Sequence, residues 1–114
     1  FHNGIDTSND LKLVSGTINV TAKNHALKGN DSVSIFGGTI TINGGNDGIK
    51  SDTEGEAGKG FFYMNGGTLD VTAVDDGIQA VSSIRIDSGS VSFHVQDDAT
   101  NCDGSVAIAE GVVK

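Results

Sequence analysis

The chain has 114 residues, 17 glycines, no proline, one cysteine and a net charge of −8. The length sets one domain or a piece of one, and the acidic balance excludes nucleic acid and anionic membrane surfaces, which need Lys and Arg. No apolar run is long enough to span a bilayer, and the lone Cys102 cannot form an internal disulfide; it reads as a small core residue, with a reactive thiol as the rival reading.

In chain order, one unit recurs. Each copy opens on a polar turn: His2-Asn3-Gly4, Asn24-His25-Ala26, Asn46-Asp47-Gly48, Asp75-Asp76-Gly77 and Asp97-Asp98-Ala99. A short strand follows, as in Ile49-Lys50-Ser51 and Ile78-Gln79-Ala80. The second strands are Leu11-Lys12-Leu13, Val33-Ser34-Ile35, Phe62-Tyr63-Met64, Ile84-Arg85-Ile86 and Val106-Ala107-Ile108. Corner glycines then fall at Gly16, Gly38, Gly67, Gly89 and Gly111, spaced by 22, 29, 22 and 22 residues. Third strands over 17–21, 39–43, 68–72 and 90–94 alternate strictly, with many β-branched residues, as half-buried strands do.

A fixed period of this size means stacked units. No segment has a helical apolar period, and an antiparallel sandwich would not require equivalent residues at one spacing. The expected fold is therefore all-β, a right-handed single-stranded parallel β-helix of about five coils of 22 residues, occupying 1–114 as one domain. Coils stack at the ~4.8 Å strand spacing, for a length of about 24 Å. The inward columns are Ile18, Ile40, Leu69 and Val91; Val20, Ile42, Val71 and Phe93; and Leu13, Ile35, Met64, Ile86 and Ile108. The chain opens in mid-repeat with no visible signal peptide, which reads as a piece of a longer secreted protein. One coil carries seven extra residues between Asp52 and Phe62, a loop on the binding face or a neutral insertion.

Of the 15 acidic residues, all but Asp70, Asp87 and Glu110 lie between a polar turn and the second strand that follows it. Stacking brings Asp47, Asp76 and Asp98 into one column and Asn46, Asp75 and Asp97 into the next. Asp and Asn favour turns through local backbone hydrogen bonds, yet a ladder of like charges calls for protons or cations. Hard oxygen ligands favour Ca²⁺. The metal set expected is Asn46, Asp47, Asp75, Asp76, Asp97 and Asp98, with Asp52 and Asp103 as further ligands and Glu54 and Glu56 able to fold in. His25, in the same column, reads as a cap or hydrogen-bond partner, with a metal role as the rival reading.

Phe61 and Tyr63 flank the inward Phe62 and point out, with Phe36 one coil away. These aromatics read as a polysaccharide contact; the rival is that the insertion covers Phe61. Lys28 and Lys50 share a register and point outward, to pair with Asp residues or to meet an anionic sugar. No zinc spacing, CxxC pair, phosphate loop or local Ser-His-Asp motif is present.

The segments Asn46-Asp47-Gly48-Ile49-Lys50-Ser51-Asp52, Gly66-Gly67-Thr68-Leu69-Asp70-Val71-Thr72 and Asp75-Asp76-Gly77-Ile78-Gln79-Ala80 resemble a bacterial family of carbohydrate-binding parallel β-helix domains, itself similar in fold to pectate lyases. The resemblance implies calcium at the acidic turns, an extracellular location, and binding of cellulose and acidic plant polysaccharides such as pectin. Related lyases use an Asp-Asp-Gly-aromatic-Asp turn and a nearby lysine. Here Gln79 replaces the final acid, and the next coil offers Asn101 and Cys102 with no lysine. The expectation is a non-catalytic binding module; the alternatives are a calcium-dependent lyase and a structural or adhesive repeat. Oligomeric state is not legible in the residues.

Overall fold

A computed structural model describes residues 3–55 and 58–109. Gly111, Glu56, Glu110 and His2 lie outside the described residues. The molecule is a parallel β-solenoid of about five turns with no helix among the described residues. Among the described residues no helix is long and apolar enough to cross a membrane.

Each coil contributes to three faces. The first stacks β1 (Ile5–Thr7), β4 (Leu27–Gly29), β7 (Ile49–Ser51), β9 (Ile78–Ala80) and β11 (Thr100–Cys102). The second stacks β2 (Asp10–Leu13), β5 (Ser32–Ile35), the start of β8 (Phe61–Ala73), the start of β10 (Ser83–Val95) and β12 (Ser105–Ile108). The third stacks β3 (Thr17–Ala22), β6 (Thr39–Gly44) and the later halves of β8 and β10. Every pairing is parallel and joins residues one repeat apart, such as Ile5 with Leu27 and Ile49 with Ile78.

The three expected inward columns form in register: Ile18, Ile40, Leu69, Val91; Val20, Ile42, Val71, Phe93; and Leu13, Ile35, Met64, Ile86, Ile108. Phe62, Ile35, Met64, Ile86 and Ile78 are fully buried, each contributing about 1.5–3 kcal/mol. Val106 and Ile108, on the last described strand, remain exposed. Cys102 packs against the core, as a small apolar residue would.

The glycine corners depart from expectation in two coils. Gly67 and Gly89 lie inside the continuous 13-residue strands β8 and β10, not between separate strands. Their positive φ, 85° and 111°, bends the chain while the ladder slips register between Ile86 and Ser90 and carries on. A left-handed residue in a bulge turns a strand without ending it. Gly16 and Gly38 also have positive φ, and there the strands do break.

Candidate functional site

The outward side of the second face aligns Lys12, Ser34, Tyr63, Arg85 and Ala107 in one column. Phe36, just past β5, meets Tyr63 edge to face, with ring centroids 5.8 Å apart at 64°. The Lys12 ammonium stands over the Phe36 ring, 5.1 Å from its centroid, a cation–π contact. Tyr63 donates its hydroxyl to Asp87 Oδ2 at 3.0 Å, and Arg85 Nε donates to Asp87 Oδ1 at 2.8 Å. The Arg85 contact holds Asp87 below the ordinary carboxylate range, and the bond to Asp87 raises Tyr63. Tyr63 is thus fixed at ring and hydroxyl while one side stays partly open. Phe36 and Tyr63 come together as the sequence suggests, and Phe61 lies half-buried on the same side of β8. Lys12, Arg85 and Asp87 are additions. The repeat spacing carried the signal for two of them, because Lys12 and Arg85 fall in the Tyr63 register.

The acidic turns stack as expected. Their column runs Asn3, His25, Asp47, Asp76 and Asp98, and the side chains tie coil to coil. Asn3 Oδ1 accepts from the His25 amide at 3.2 Å, Asp47 Oδ1 from the Asp76 amide at 3.1 Å, and Asp76 Oδ1 from the Asp98 amide at 3.2 Å. In the neighbouring column Asn46 donates its side-chain amide to Asn24. Asp47 and Asp76 are buried, and His25 Nδ1 lies 3.6 Å from Asp47 Oδ2. Burial pushes the Asp47 carboxyl up, against the opposing pull of the Asp76 amide. Asp97 is also raised, first by the charge on Asp98 and then by Asp76.

Asp76, Asp97 and Asp98 each offer a carboxylate oxygen within 4.8 Å of the others. Asn101 Nδ2 donates to Asp76 Oδ2 at 2.8 Å and orients it. The donors are all hard oxygens, two of the three acids face solvent, and the charges of Asp98 and Asp76 raise the Asp97 carboxyl. That set fits a hard divalent cation. Asp47, one coil before Asp76, and Asp75, its neighbour in the same turn, stand outside this triad.

Asp52 and Asp103 lie elsewhere. They share a column on the far side of the first face, two coils apart with Val81 between, hence about 10 Å by strand spacing. Among the described residues, Asp52 and Asp103 do not gather with a third acid, histidine or cysteine into a candidate ion site, as Asp76, Asp97 and Asp98 do. Asp52 Oδ2 pairs with Lys28 Nζ at 3.7 Å. Lys28 and Lys50 are neighbours on β4 and β7, so the structure places them on the first face and the aromatics on the second.

A family model described as "Carbohydrate-binding domain-containing protein" matches residues 1–112. Among solved structures, one described as the polysaccharide lyase-like protein from C. thermocellum, gadolinium derivative, is 46% identical with a TM-score of 0.97. The match covers 99% of this chain and 46% of that one, so the chain spans just under half the neighbour's length. No curated protein matches.

Proposed function

The chain belongs to the family of carbohydrate-binding domain-containing proteins, and on that premise we propose that it is a non-catalytic, calcium-dependent module that binds plant cell-wall polysaccharides, cellulose and pectin, as an extracellular part of a longer secreted protein. The observation that carries this reading is the Phe36–Tyr63 pair, held on a flat strand face between Lys12 and Arg85. Apolar ring faces cover sugar rings, and a rigid aromatic loses little conformational freedom on binding. Lys12 and Arg85 supply positive charge to sugar carboxylates. Asp76, Asp97 and Asp98 would hold the calcium, which supplies positive charge to an otherwise acidic edge. Asn101 fixes Asp76 for that role.

Affinity gels containing polygalacturonate or a soluble cellulose derivative test this directly. Tyr63→Ala and Phe36→Ala should each weaken retention roughly tenfold, about 1.4 kcal/mol. Pectin retention should disappear with a chelator. Retention unchanged in both variants would overturn the aromatic face as the contact.

A second reading, a calcium-dependent lyase, has the description of the solved neighbour in its favour. It requires release of unsaturated uronides from polygalacturonate, followed by ultraviolet absorbance. The binding module produces none.

A further inference from the structure

We propose that the first face carries a second saccharide site, a groove beside the inserted loop that takes one neutral pyranose unit. This rests on the carbohydrate-binding reading but uses a different surface from the aromatic pair. The outward column of the first face runs Asp6, Lys28, Lys50, Gln79, Asn101. Lys50, Gln79 and Asn101 line a groove of ≈ 220 Å³ with Asp52, Glu54 and Asp103. Drug-sized ligands occupy about 300–1,000 Å³, so this space suits one ring rather than an oligomer.

The lining alternates in chemistry. Asp52, Glu54 and Asp103 accept hydrogen bonds, which vicinal sugar hydroxyls donate; the Lys50 ammonium and the Gln79 amide donate to sugar oxygens. Two walls are already anchored, Asp52 by Lys28 at 3.7 Å and Asn101 by Asp76 at 2.8 Å. Lys50 enters no ion pair among the described residues, although Asp47 and Asp52 flank it, and Gln79 makes no side-chain hydrogen bond there. Both are half-buried. Anchored walls around uncommitted donors make a groove ready for a polyol. Three carboxylates outnumber the Lys50 ammonium and the Lys28 ammonium paired with Asp52, leaving a net negative groove that repels a uronate and sets the preference for a neutral sugar. A cation is the weaker occupant, because among the described residues the acids whose oxygens gather within reach of one ion are Asp76, Asp97 and Asp98, not those of the groove. Glu54 belongs to the insertion, so only this coil supplies that wall.

The test uses the full chain with cellohexaose and hexagalacturonate as probes, by calorimetry and by the side-chain amide resonances of Gln79. Gln79→Ala and Lys50→Met should keep the parent melting temperature and weaken cellohexaose about tenfold, the loss of a hydrogen bond to a charged or anchored partner. Hexagalacturonate affinity should be unchanged by Gln79→Ala. Cellohexaose should shift the Gln79 amide signals in the parent and in Tyr63→Ala alike. Parent-like cellohexaose affinity in both groove variants, or silent Gln79 signals, would overturn the groove; if Tyr63→Ala still abolished glycan binding, the module reading would stand without it. Failure of the parent to bind either oligosaccharide would overturn both.

Discussion

Asp47 is a carboxylate sealed between two coils, accepting the Asp76 amide through one oxygen and facing His25 with the other. Burial raises its folded pKa above the ordinary 3.8. The folded state therefore holds the proton more tightly than the unfolded chain, and as pH rises from 3.8 through the raised value this residue withdraws stability. Asp47→Asn keeps an oxygen for the Asp76 amide and loses the buried charge. Urea melts between pH 4 and pH 7 should show a flatter decline for the variant, with stability at pH 7 equal to or above the parent; a variant less stable at pH 7 would show that the charge itself is needed. At this scale the sequence revealed the column but not its burial. Asp47, Asp76 and Asp98 share a register, yet Asp98 is exposed because no described coil covers it. Asp87 escaped notice for another reason: it reaches Tyr63 diagonally, from a neighbouring register, and a spacing argument sees only straight columns.

Strands and corners obey the repeat more closely than single side chains do. Strict alternation over 17–21 and 39–43 places every inward residue correctly, because a one-residue slip would turn the whole apolar set to solvent. The merging of two strands into β8 and β10 was not legible, since a glycine with positive φ serves equally in a turn or a bulge. At Gly38 the need is firm: φ is 92°, and a Cβ would sit 2.7 Å from the Gly16 carbonyl oxygen of the adjacent coil. Gly38→Ala should cost at least about 1–2 kcal/mol, the penalty for a left-handed L-residue, read as a lower urea midpoint. Phe62→Ala, in the fully buried column, should cost about 3–5 kcal/mol in the same assay.

For the whole molecule, a single coil stacked about five times was enough to give the architecture, because each coil contacts only its neighbours. The division of labour among faces was not, since side chains with the same outward pattern occupy all three. Lys28 and Lys50 lie on the first face and Phe36, Phe61 and Tyr63 on the second, although the sequence groups them as one contact set. The acidic edge should govern stability globally. Saturating Ca²⁺ at about 100 times its dissociation constant should add about 2.7 kcal/mol, seen as a higher melting temperature that a chelator reverses. Asp97→Asn with Asp98→Asn should abolish that rise. Terbium luminescence titrated with both proteins checks the same site without relying on unfolding.

The insertion adds seven residues to one coil, yet Ser51 still pairs with Ala80 before it and Phe61 with Ser83 after it. The scaffold on both sides is indifferent to what is spliced in at that corner. Grafting loops of other lengths and compositions there should alter what the adjacent surface recognises while the solenoid keeps its melting behaviour, much as a variable loop is exchanged on a constant framework.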